Sequence, residues 1–225
     1  MQKLHGILAI ALSGVVLAPA QRDDTWTGVF RLENNELTTT GRNPYFILEP
    51  GYRLELAAKD VQLVITVMEE TRVINGVETR VVEERETRNG ALVEVSENYF
   101  AISRRTNSVF YFGEAVNLYK DGKVTSREGS WAAGQNDARF GLMMPGIPLL
   151  QARYYQELAL GVALDRAEVL SLNETVTTPA GEFRGVLRVR ETTPLEPGAR
   201  EDKYYAWGIG LIRDGDLRLI KAGKS

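Results

Sequence analysis

The stretch VQLVITVMEETRVINGVETRVVEERETRNGALVEVSENYF runs from Val61 to Phe100 and contains two Asn-Gly pairs, Asn75-Gly76 and Asn89-Gly90. Successive side chains of a strand point to opposite faces, so Val61, Leu63, Ile65 and Val67 share one face of a strand. Asn-Gly suits a two-residue type I′ hairpin because both residues tolerate positive φ. The stretch therefore predicts three antiparallel strands: one from Val61, one over Val77 to Thr87, and one from Ala91 to about Arg104. Within it, EERETR at Glu83 to Arg88 puts charge on both faces. That pattern reads as an exposed edge guarded against strand addition.

The same texture continues in both directions. Upstream lies Tyr52 to Leu56; downstream lie Val109 to Phe112 and two strands flanking Asp121-Gly122. Then Glu128 to Pro148, EGSWAAGQNDARFGLMMPGIP, loses the alternation, and its glycines and prolines read as breaks in backbone pairing. Beyond it, Gln151 to Asp165 is compatible with a short helix. Val169, Leu170 and Leu172 resume β texture, EFRGVLRVRETT alternates Leu187 and Val189 against Arg188 and Arg190, and a closing hairpin turns at Asp214-Gly215. The expected fold is all-β: a single antiparallel meander forming a half-open barrel or strongly curved sheet, with the Gly/Pro loop over one end. Three divisions are expected: a signal peptide over 1–20, a flexible polar leader over 21–43 of which only TWTGVFRL docks, and one β domain over 44–225.

The first residues, MQKLHGILAIALSGVVLAPA, combine a basic start, an apolar run and an Ala18-Pro19-Ala20 exit, the pattern of a secretory signal. The run is shorter than the roughly 20 apolar residues a membrane span needs. The expectation is a secreted or periplasmic, soluble chain without a transmembrane segment after cleavage. Cleavage would remove Lys3 and take the formal net charge from -3 to -4. It would also remove His5, the only histidine, and the chain has no cysteine. Triads of the Ser-His-Asp or Cys-His kind, imidazole or thiolate zinc sites and the usual haem or iron–sulfur ligands are thereby excluded. No basic cluster is present, so nucleic acid is not an expected partner. No cofactor is implied.

The run YFILEPGYRLEL at Tyr45 to Leu56 resembles the first strand of secreted bacterial proteins of unknown function with a YF-L-PG element. Further runs extend the resemblance over most of the chain: VFYFGEAVNLYKDGKVTSREGSWAAG, GLMMPGIP, AEVLSLNETVTTPAGEF and TPLEPGAREDKYYAWGIGLI. The resemblance implies an exported, predominantly antiparallel β protein and no particular activity. The chain departs from that pattern at Arg139-Phe140.

Two sets of residues carry candidate chemistry. Trp131, Met143, Met144, Tyr154, Tyr205 and Trp207 are candidate ligand-binding residues, because large apolar side chains in or near an irregular loop suit a lid. Glu128, Glu157, Asp165 and Glu168 flank that loop. Two converging carboxyls would serve a glycosidase-like hydrolase; with Asn136 and Asp137 they would suit Ca²⁺, although no metal site has diagnostic spacing. The function expected first is non-catalytic binding of a small molecule, a carbohydrate or an envelope protein. The alternatives are a carboxylate-dependent hydrolase and an envelope structural or assembly protein.

Overall fold

The computed structural model describes residues 26–224. The expected signal peptide lies outside the described residues. Eleven main strands follow in order: β1 Tyr52–Ala58, β2 Val61–Ile74, β3 Val77–Arg88, β4 Ala91–Ser103, β5 Val109–Lys120, β6 Arg139–Met144, β7 Arg166–Thr178, β8 Gly181–Thr192, β9 Arg200–Ala206, β10 Gly210–Asp214 and β11 Leu217–Lys224. The Asn-Gly reading holds: Asn75 and Gly76 have φ of 49° and 75°, and Asn89-Gly90 and Asp121-Gly122 turn in the same way. Hairpins of this kind keep neighbours in sequence adjacent in space, and all ladders between named strands are antiparallel. Among the described residues no helix is long and apolar enough to cross a membrane.

The sheet closes almost completely on itself. β11 pairs with β1, so the hairpins form one path from β7 through β11 and β1 to β6. The outer members of that path are Arg153–Tyr155, paired with β7, and Glu157–Leu158, paired with β6. They are consecutive in the chain, separated only by Gln156, so one segment bridges both edges and leaves an unsealed seam at that residue. Gly141 makes the approach possible: a Cβ there would lie 2.2 Å from the carbonyl oxygen of Gln156. The stretch expected as short helix between Gln151 and Asp165 is this bridging segment instead.

The Glu128–Pro148 stretch is divided. Trp131–Ala132 pairs with β5, and β6 joins the wall through Gly141↔Tyr111 and Leu142↔Phe110. Its glycines thus act in part by admitting a neighbouring backbone, the opposite of the ladder-breaking role read from sequence. Its last residues lie over one end, where the Pro145 carbonyl accepts from Asn43.

That end is filled by a small hairpin, Gly41–Asn43 with Phe46–Leu48. Asn43 is fully buried; its Nδ2 donates to the Asn107 and Pro145 carbonyls at 2.8 and 2.9 Å, and its Oδ1 accepts from the Tyr45 amide at 2.8 Å. The Gly208 amide donates to the Pro44 carbonyl at 2.7 Å, fastening the hairpin to the β9–β10 turn. Structure expected to begin at Pro44 therefore begins earlier: Leu37–Thr38 already pairs with β4. The expected docking of TWTGVFRL is observed on the outer wall, where Phe30 meets Phe110 and Phe140 at 6.1 and 6.5 Å. Trp26 lies under Arg166, 4.3 Å from ring centre to guanidinium.

EERETR is not an edge. β3 pairs with β2 on one side and β4 on the other. Its charges do point both ways, as period two requires: Glu83 meets Arg85 on the outer face, whereas Glu84 lines the interior.

Candidate functional site

The interior has two ends. Toward the hairpin it is apolar, lined by Tyr45, Ile47, Leu54, Val67, Tyr205 and Leu211, with a free volume of only ≈ 70 Å³. Toward the other end it opens into a cavity of ≈ 230 Å³ lined by the carboxyls of Glu84, Glu94, Glu114, Glu157, Asp165 and Glu191. Glu84, Met143 and Lys203 line both ends, which makes them one lumen. An aromatic column runs down one wall: Phe46 to Phe100 at 5.0 Å, Phe100 to Tyr111 at 4.6 Å, and Tyr111 to Trp131 at 5.4 Å.

Strand geometry explains how acids come to face inward. On β4, Glu94, Ser96, Asn98 and Phe100 lie two residues apart and share the inner face. On β5, Tyr111 and Glu114 both face in although they are three apart. The ladder shifts there, pairing Asn98 with Glu114 and Phe100 with Tyr111. Gly113 permits this bulge: its φ is 146°, and a Cβ would lie 2.5 Å from the Trp131 carbonyl.

Lys203 is the lumen's lysine. Its Nζ lies 2.8 Å from Glu191 and 3.7 Å from Asp214. Burial acts to lower its pKa, but those two carboxylates prevail and hold it well above the ordinary lysine value. Gln156 fixes Glu191 from the other side by donating to it at 2.9 Å. The remaining lumen acids have no ion pair among the described residues. Burial, with repulsion from Asp214, Glu94 and Glu191, pushes Glu84 up to about 7. Burial also pushes Glu114 up to about 7, against a lowering contribution from Tyr111. Glu157 is raised well above the ordinary range by burial and by Glu114 and Asp165, with the Trp131 indole acting to lower it. The Trp131 N–H nevertheless reaches no acceptor in hydrogen-bond geometry. Asp165 is raised for the same first reason, burial, and by Glu191. Glu84 is enclosed on all sides yet keeps solvent-accessible surface, as a group facing a wet cavity does.

The sequence-derived candidates divide. Met143 and Tyr205 line the lumen. Trp131 is buried in the wall beside Glu157, Met144 is core, and Tyr154 is buried with a hydroxyl that meets no partner. Trp207 is 69% exposed on the outer surface, its ring edge-on to Tyr45. Of the four loop-flanking acids, Glu157 and Asp165 converge in the cavity. Glu168 instead pairs with Arg153 at 3.0 Å, and Glu128, Asn136 and Asp137 are exposed. No three acids among the described residues come close enough to hold a metal ion. Sequence reasoning missed Glu84, Glu94, Glu114, Glu191 and Lys203; the one signal for them was charge at inward positions of strands that proved central.

The fold and site together define a nearly closed β-barrel with an acid-lined lumen shut at one end by its own hairpin. Compared with known proteins, the chain matches no family model, no curated protein and no solved structure.

Proposed function

We propose that the protein is a non-catalytic binding protein, exported from the cell, that takes a small molecule into the barrel from the acidic end. The observation that carries this reading is the ≈ 230 Å³ cavity with six inward carboxyls. Burying carboxyls without partners is costly, and ordinary cores avoid it; concave sites with a few convergent polar groups and perturbed pKa values are where ligands bind. The outer wall supports a chain surrounded by water, since in mid-strand Arg188 and Arg190 of β8 pair with Asp202 of β9 on its outward side, where a lipid-facing barrel needs an apolar band.

The test is class-free. Amide chemical shifts are followed while mixtures of small cationic, neutral and anionic molecules are added. The reading expects a ligand that shifts Glu84, Glu157 and Tyr205 together; shifts confined to the outer surface, or none, would overturn it.

One observation favours a second reading. Glu157 and Glu114 line the same cavity, and burial together with Glu114 and Asp165 raises the Glu157 carboxyl well above its ordinary value, as the acid of a carboxylate hydrolase requires. Turnover of chromogenic glycosides that disappears in Glu157→Gln would establish that reading in place of binding.

A further inference from the structure

We propose that the lumen's ligand is a small organic cation carrying ammonium groups, held by Glu84, Glu114, Glu157 and Asp165. This rests on the lumen-binding reading and assigns its ligand class.

The protein itself shows how this cavity treats an ammonium. Lys203 enters from β9 and lies between Glu191 and Asp214, at 2.8 and 3.7 Å. Glu191 is thereby paired and hydrogen-bonded, while Asp214 keeps one buried oxygen, Oδ1, without a hydrogen-bond partner among the described residues. Across the cavity, Glu84 from β3, Glu94 from β4, Glu114 from β5, and Glu157 and Asp165 from either side of the seam face the same space. None of these five has an ion pair among the described residues.

Two further groups point to an occupant. Tyr205 is 3% exposed and lines the lumen, and its hydroxyl makes no hydrogen bond among the described residues. Glu157 is 8% exposed and lines the cavity, and the buried Trp131 N–H beside it has no hydrogen-bond partner among the described residues. Polar groups this deep ordinarily have partners.

Geometry selects among cations. A compact metal ion needs several oxygens converging on one point at about 2.0–2.6 Å, and no three acids among the described residues do so. Carboxyls spread around a cavity suit a cation whose N–H donors are themselves spread out, each taking a charge-assisted hydrogen bond. Phe100 and Tyr111, which line the same cavity, supply apolar surface for the carbon chain between the charges.

The cavity is also prepared for exchange of charge. With Glu84 and Glu114 pushed up to about 7 and Glu157 and Asp165 also raised, chiefly by burial, an entering ammonium takes the place of protons. Tyr111 and Tyr205, both raised well above the ordinary tyrosine value by burial, stay neutral throughout, and Lys203 stays charged. The exchange therefore falls on the carboxyls, and affinity rises with pH through about 7, the value of Glu84 and Glu114.

The experiment is calorimetric titration of the purified protein with 1,4-diaminobutane, with 1,4-butanediol and Ca²⁺ as probes of equal length and of compact charge. The diamine is expected to bind about tenfold more tightly at pH 8 than at pH 6, with proton release seen as a dependence on buffer ionisation heat. The diol and Ca²⁺ are expected not to compete. Glu157→Gln and Glu114→Gln each weaken binding about tenfold, whereas Glu128→Gln, on the exposed loop, leaves it unchanged. Should either glutamine variant unfold, Asp165→Asn serves in its place. Equal binding of diamine and diol, or diamine binding indifferent to pH and to the lumen variants, overturns the proposal. If the diamine fails while another molecule shifts the lumen amides, the ligand class falls and the binding reading stands; if nothing enters the lumen, both fall.

Discussion

The two ends of the lumen are built from the same strands and differ in what the strands turn inward. At the hairpin end, Leu54 and Val67 meet Tyr45 and Ile47, and ≈ 70 Å³ remains. At the other, Glu84, Glu114 and Glu157 meet around ≈ 230 Å³. The first end behaves as a core, where close-packed apolar atoms are stabilising. The second is maintained at a cost in stability, so substitutions at the two ends should have opposite signs. A protein that needed only to fold would gain by making the ends alike; the difference marks the acidic end as the part shaped for something other than stability.

The aromatic wall that carries both ends should show the largest effect. Trp131 closes the aromatic column against Tyr111 and is buried beside Glu157. Trp131→Ala should lower stability by about 4 kcal/mol, the usual cost of emptying a large buried aromatic site, as read from urea unfolding. A change below about 1 kcal/mol would mean that the segment is a loose cover with no part in the wall.

Leu48 tests the core-like end. It is fully buried in the hairpin, and Leu48→Ala should cost about 3 kcal/mol without altering the pH dependence described next. Loss of that pH dependence together with the stability would show that the two ends are one cooperative unit, and the comparison would dissolve.

These two residues also show how far the sequence could be read. The barrel was legible because turn chemistry is local: Asn75-Gly76 and Asp121-Gly122 specify hairpins whatever surrounds them. Trp131 was legible as an anchor, yet β6 after it was not legible as a strand, because Gly141 signals a broken ladder as readily as a close approach to Gln156. The acidic lumen was the least legible. Alternation in GALVEVSENYF reveals two faces without saying which is inside, and a face bearing Glu94, Ser96 and Asn98 reads as solvent. Only closure of the barrel turns it inward. Glu114 is hidden further, since the bulge at Gly113 shifts it out of period with Tyr111. Glu157 and Asp165 were found because they flank the irregular stretch, as did Glu128 and Glu168, which lie elsewhere.

The acidic end should reveal itself in pH. Glu84 and Glu114 titrate at about 7 in the fold against an ordinary 4.5. The folded state therefore binds more protons than the unfolded chain between those values. Stability is greatest below about 4.5 with respect to these groups and falls as pH rises to about 7, by up to about 1.4 kcal/mol per pH unit for each. Asp202 and Glu49, lowered in the fold, act in the opposite direction but below their ordinary values, outside this window. Urea unfolding at intervals from pH 5 to 8 should show the fall, and Glu84→Gln should stabilise the protein at pH 8 by about 2 kcal/mol. Stability that is flat or rises over that range would mean the carboxyls ionise freely in open water, and the lumen is no enclosure.

The smallest effect should come from Trp207, and it separates the ends by their access. The ring stands on the outer surface with 69% of the residue exposed, edge-on to Tyr45 at 5.7 Å and next to the turn whose Gly208 amide holds the Pro44 carbonyl. Little apolar area is withdrawn from water there, so Trp207→Ala should change stability by no more than about 0.5 kcal/mol. Its position on the outside of the hairpin makes it a probe of entry. If molecules reached the lumen by displacing the hairpin, removing the ring that braces Tyr45 would speed both association and release of a lumen ligand. With entry through the acidic end, the hairpin stays closed and neither rate changes. Stopped-flow measurement of diamine binding to the variant is expected to give the parent's rates; faster exchange would place the door at the apolar end and make the hairpin, rather than the acids, the element that controls access.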